Sequence, residues 1–152
     1  MALPGADPML LIDANLLLYA YHAESAEHAA AKAWLEGVMS GSETVGLPWL
    51  SILAFLRITT HQRIFERPLL MDQAMEFVAS WLKRPQVHAV EVGADFLAIL
   101  ATLLASAQIK GALVSDAALA ALTIEHGATL CTTDRDFARF PGLIWRNPLR
   151  PS

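Results

Sequence analysis

The chain has 152 residues, 55% of them hydrophobic and 17% charged, with a formal net charge of −4. That length suits one domain with a full core and leaves too little for two, and the composition excludes a disordered chain. The acidic balance, with a pI near 5.7, argues against a general electrostatic binder of nucleic acid.

The single cysteine, Cys131, excludes an internal disulfide and any multi-cysteine zinc site. No apolar run reaches the roughly 18–20 residues of a membrane helix. The opening "MALPGADP" lacks the basic segment of a signal peptide. The expectation is a soluble, cytoplasmic chain with no membrane partner. The apolar excess points to a large interior or to a surface that takes a partner.

"MLLID" (9–13) is a short apolar run with the mark of a strand buried on both faces. "ANLLLYAYH" carries helical spacing. Ser25 can cap a helix over 26–39 that Gly41 ends. "TVGL" (44–47) is a second strand, and Pro48 suits the first turn of a helix over 49–60. A helix over 71–83 is closed by Pro85, and "VHAVEV" alternates like a strand. The 94–108 segment is apolar on most sides and predicts a well-buried helix. A helix over 116–126 ends at His126 and Gly127. "ATLCTT", the short turn "DRDFARF" and the strand "GLIW" complete the chain. Strands separated by helices imply an α/β fold: a three-layer sandwich whose mainly parallel central sheet is flanked by helices.

In such folds sites form at the carboxyl ends of the strands, where strand order reverses. Asp13 follows the first strand, Asp134 follows "ATLCTT" with Asp136 two residues on, and Asp116 opens the helix "SDAALAAL". Each acid has an ordinary reading as a helix N-cap or a dipole partner. Their joint placement at one edge suggests more. Carboxylates about 4 Å apart repel by roughly 4 kcal/mol per pair at an effective dielectric near 20. An oxygen-only donor set without a histidine pair suits Mg²⁺ or Mn²⁺ better than Zn²⁺. An ion held so can activate water and stabilise charge on a phosphodiester, which outlines a nuclease.

Asn15 either orients a carboxylate, contacts substrate or is a polar residue at a helix start. Ser115, Thr132 and Thr133 either bond the acids or the scissile phosphate, or satisfy local backbone. Arg57, Arg63 and Arg67 fall within eleven positions, and Arg135, Arg139, Arg146 and Arg150 within the last eighteen. They form a solvated face or a rim that contacts phosphate.

"LIDANLLLYA", "LPWLSILAFLRITTHQRIF" and "SDAALAALTIEHGATLCTTDRDFARFPGLIWRNPL" together resemble a PIN domain of the VapC type, the ribonuclease toxins of bacterial toxin–antitoxin pairs. The likeness implies a single domain over 9–149, with tails at 1–8 and 150–152. It implies Mg²⁺-dependent RNA cleavage, with Mn²⁺ as the other candidate, inhibition by a small antitoxin protein, and a homodimer. Carried over by position, the catalytic and metal-ligating acids are Asp13, Asp116 and Asp134, with Asp136 as an accessory ligand. Asn15, Arg57 and Thr133 are then candidates for binding RNA.

One position departs from the family pattern. A glutamate is usual three residues before the arginine, and here Ala54 stands before Arg57 in "ILAFLR". Glu66, Glu24 or a water are candidates to replace the missing ligand. Trp49, Phe55 and Phe65 either pack in the core or line a groove for an antitoxin helix. Arg57 and His61, one turn apart, face phosphate or make structural ion pairs. A non-catalytic PIN-fold binding module is the alternative that Ala54 raises. A phosphoacceptor receiver domain is set aside, because residue 12 is Ile and no lysine follows Lys110.

Overall fold

Leu10–Ile12 form β1, every residue of which is buried. Side chains alternate across a strand, so Leu10 and Ile12 enter one core while Leu11 enters the other. That alternation makes three layers from one short apolar run. In the computed structural model, which describes residues 8–106 and 108–150, β1 lies in the middle of a parallel sheet. Its companions are β2 (Val45–Pro48), β3 (Val87–Val90), β4 (Thr129–Cys131) and β5 (Trp145–Arg146). The order among the described residues is β3-β2-β1-β4-β5, with Leu10 opposite both Val45 and Thr129. Of the expected tails, 1–7 and 151–152 lie outside the described residues; Arg150 pairs with Glu27 at 2.9 Å.

One face is covered by α1 (Ala14–Tyr21), α2 (His28–Ser40), α3 (Trp49–Thr59) and α4 (Met71–Leu82). Leu16, Leu17, Leu35, Phe55 and Val78 pack there. The other face carries α5 (Phe96–Ser106) and α6 (Leu113–Glu125), where Leu103, Leu122, Phe137 and Phe140 form the second core. Gly46 of β2 shows how tightly the layers meet. A Cβ there would lie 2.7 Å from Val90 Cγ2.

Several local expectations are corrected. The expected buried helix over 94–108 is α5, and of its residues only Leu103 is buried while Leu97 is 74% exposed. The reason is placement: α5 packs on α6, so a helix apolar all round turns most of that surface outward. Ala107, inside the expected range, lies outside the described residues. The helix expected to open at Asp116 begins at Leu113, just after Gly111 in the left-handed region at φ +66°. Ser25 does not cap α2. Its Oγ accepts from the Glu27 amide at 3.2 Å in a local turn, and the helix starts at His28. Pro48 ends β2 in an extended conformation and does not enter the first turn of α3. The close of α6 is as expected, with Gly127 at φ +60°.

Candidate active site

The order of the sheet reverses between β1 and β4, and both strands end at the same edge. Asp13 follows β1 there, and its amide donates to the Cys131 carbonyl of β4 at 3.0 Å. The backbone is therefore pinned across the switch point, where α/β sheets hold their ligands. Although Asp13 occupies the N-cap position of α1, its side chain makes no capping bond. The usual cap to the second or third amide is missing, and the carboxyl's backbone partner is the Ala14 amide at the helix start.

The Thr132 hydroxyl occupies the space beneath it. Thr132, fully buried, donates to Asp13 Oδ2 at 2.7 Å and accepts from the Asp134 amide at 3.1 Å and from Asn15 Nδ2 at 3.3 Å. A hydroxyl has one proton, so these two donors direct it toward Asp13. Ser51, buried in α3, donates to the Ile12 carbonyl at 2.7 Å and fixes the strand end from the other side. Burial pushes the Asp13 carboxyl up to about 6; the Thr132 hydroxyl and Ala14 amide oppose that shift, and Asp116 and Asp134 add to it.

Asp116 lies in the first turn of α6, half-buried. Burial again raises its carboxyl, helped by Asp134 and Asp136 and opposed by Arg139. Asp13 and Asp116 line one hollow of about 550 Å³ together with Ser51, Leu53, Ala54 and Arg57. Asp134 behaves as a cap, since its Oδ1 accepts from the Asp136 amide at 2.9 Å at the start of the 3₁₀ turn Arg135–Arg139. Asp136 is exposed, 3.8 Å from Arg139 Nη2.

Among the described residues, no three His, Cys, Asp or Glu side chains are already arranged to hold a metal ion. The acids share an edge and one another's field without closing on a common point. Asn15 turns inward: its Nδ2 serves Thr132, and its Oδ1 is buried without a partner among the described residues. Thr133 is half-buried next to the network and has no side-chain bond among the described residues. Ala54 presents a methyl to the hollow beside Arg57. Glu24 and Glu66, candidates to replace the missing carboxylate, instead line a separate hollow with His22, Phe65 and Arg67. Phe55 and Phe65 are core residues, whereas Trp49 is 42% exposed. Thr132 was one hydroxyl among several in the sequence, and Ser51 carried no signal because its partner is 39 positions away.

The PIN-domain family pattern matches residues 10–143, and the chain belongs to that family. Ribonuclease VapC37 of Mycobacterium tuberculosis is 41% identical over 140 residues, covering 92% of this chain and 97% of the relative. Two solved structures share the fold. A toxin–antitoxin complex from Klebsiella pneumoniae has a TM-score of 0.63 at 16% identity, covering 91% of this chain and 97% of that one. Mycobacterium tuberculosis VapC20, described as a sarcin–ricin-loop-cleaving toxin, has a TM-score of 0.62 at 18% identity, covering 89% and 98%. Among the described residues, no helix is long and apolar enough to cross a membrane.

Proposed function

We propose that the chain is a Mg²⁺-dependent endoribonuclease, the toxin of a toxin–antitoxin pair acting in the cytoplasm, folded as one unit over 9–149. The observation that carries this reading is the hollow shared by Asp13, Asp116 and Arg57. It sets two carboxyls with raised proton affinity beside a guanidinium that has no acid partner among the described residues.

The donor set fits a hydrated divalent ion. All the donors are oxygens and the carboxyls repel one another, the chemistry that suits Mg²⁺, although among the described residues no three are gathered around one point. Asp13, Asp116 and Asp134 would hold Mg²⁺ (or Mn²⁺), with Asp136 at the margin. When bound, such an ion supplies a Lewis acid that activates water and offsets charge on a phosphodiester. The remaining work falls to the chain. Thr132 locks the Asp13 carboxylate in one orientation, and Asn15 supports Thr132 from behind. Arg57 grips a phosphate with its planar fork, and Thr133 offers a hydroxyl at the strand end.

For the antitoxin, an apolar hollow of about 350 Å³ is lined by Leu17, Tyr21, Leu35, Phe55, Phe77 and Trp81. Lys32, Glu36 and Arg84 stand at the same hollow, and the site suits the apolar stripe of an amphipathic helix. A second copy of the chain covers the outer face of α5, since an uncharged patch can pair with itself about a two-fold axis.

Cleavage of structured RNA with Mg²⁺, lost in Asp13→Asn and Asp116→Asn, tests the reading. Equal behaviour of wild type and variants refutes it. The Ala54 methyl favours a second reading, a PIN-fold module that binds RNA or protein without turnover. Calorimetric titration with Mg²⁺ separates the two, because a dead site gives no specific heat of binding.

A further inference from the structure

α3 divides its side chains sharply. Ser51, Ile52 and Phe55 are buried, whereas Leu50 is exposed and Leu53 is 58% exposed. Leu50, Leu53, Ala54 and Arg57 follow the spacing that puts residues on one helix face, and all four line the hollow that holds Asp13 and Asp116. The hollow thus joins two carboxyls to a wall that is apolar at Leu50 and Leu53 and cationic at Arg57. Little on this wall can read a hydrogen-bonding pattern. The Ser51 hydroxyl is spent on the Ile12 carbonyl at 2.7 Å, and Ala54 offers only a methyl. The Arg57 guanidinium has no acid partner among the described residues.

Both halves of a nucleotide find a counterpart here. Leu53 and Arg57 are four residues apart, so they stand about 6 Å apart along the helix, the kind of spacing a nucleotide has between base and phosphate. The hollow, at about 550 Å³, falls in the range that takes a small ligand.

We propose that Leu50, Leu53 and Ala54 seat the face of one unpaired base beside the phosphate that Arg57 holds, and that this seat selects by the size of the base and not by its edges. The inference rests on the nuclease reading above. Apolar side chains accept any base, because every base has a flat face. A purine covers more of the wall than a pyrimidine and gains more from it. A base stacked inside a duplex cannot offer its face, so the seat also selects against paired strands.

The test uses the full chain in an Asp116→Asn background, which leaves the strand uncut, with Leu53 intact or changed to Ser or Phe. The side chain is exposed, so neither change disturbs the core. Binding of a labelled single-stranded RNA is read by fluorescence anisotropy without divalent ions. Adenine, uracil and an abasic unit are placed at each position in turn. With Leu53 intact, an abasic unit at one position is expected to weaken binding about tenfold, and adenine there binds more tightly than uracil. In Leu53→Ser that loss shrinks by about threefold or more and the adenine preference narrows, while the abasic strand binds as before. Leu53→Phe restores both. Equal weakening of intact and abasic strands in Leu53→Ser, or no change in either, overturns the proposal alone. So does a change of oligomeric state in Leu53→Ser by sedimentation, which would give this wall to a second copy of the chain. A native chain that cleaves no RNA with Mg²⁺ overturns the nuclease reading and this proposal with it.

Discussion

The acidic edge has two banks that look alike in the sequence and differ in the fold. On one bank Asp13 is enclosed, with a buried hydroxyl beneath it and without the usual capping bond. On the other, Asp134 caps a short turn and Asp136 faces solvent beside Arg139. All are aspartates at or near a strand end. The difference shows that the strand-end position alone does not single out a site acid. What sets Asp13 apart is a buried hydroxyl that holds its carboxyl where a charge is costly.

The contrast is broken most directly at Asp13. Asp13→Asn is expected to lower RNA cleavage on the order of a thousandfold, measured as kcat/KM with Mg²⁺, whereas loss of less than tenfold would place Asp13 among the supporting residues. Thr132→Val comes next. It removes the donor to Asp13 and leaves the Asp134 amide unserved, and a fall of about 10–100-fold is expected, as for partners behind metal ligands. Thr132→Ser should restore most of the activity.

A third effect concerns stability. The Asp13 carboxyl is raised from 3.8 to about 6, so the folded state binds its proton more tightly than the unfolded chain. The associated stability is fully present below about pH 4 and is lost as pH rises through about 6. Without divalent ions, Asp13→Asn should therefore be more stable than wild type at pH 7 by up to about 3 kcal/mol. In urea titrations the advantage should vanish below pH 4 and shrink when Mg²⁺ is added. The smallest effect belongs to Asp136→Asn on the exposed bank, with cleavage within about threefold and stability within about 0.5 kcal/mol of wild type. A large loss there would move the working site toward the turn.

Much of the layer structure was legible because it depends on local pattern. The short apolar run in "MLLID" reads as a strand buried on both faces, and helices between strands demand parallel pairing. The strand-end acids followed from that topology. Other features were hidden for definite reasons. α5 is apolar on every side, so its composition could not tell which side would face solvent. α6 starts just past a left-handed glycine, and reading Asp116 as the opening residue drew the boundary three positions too late. Asn15 reads as a residue open to substrate, but its amide turns toward Thr132. Ser51 and Thr132 act across 39 and 119 positions, and no periodicity records such pairings. Ala54 was legible as a missing carboxylate, but the remoteness of Glu24 and Glu66 emerges only in three dimensions.

The single proton of Thr132 has a mechanical consequence. Because that hydroxyl takes one hydrogen bond from Asp134 in its own segment, takes another from Asn15 and gives one to Asp13, it ties the segments after β1 and after β4 together. A disturbance that loosens the 3₁₀ turn, such as a protein clamped onto it, would be felt at Asp13 without touching it.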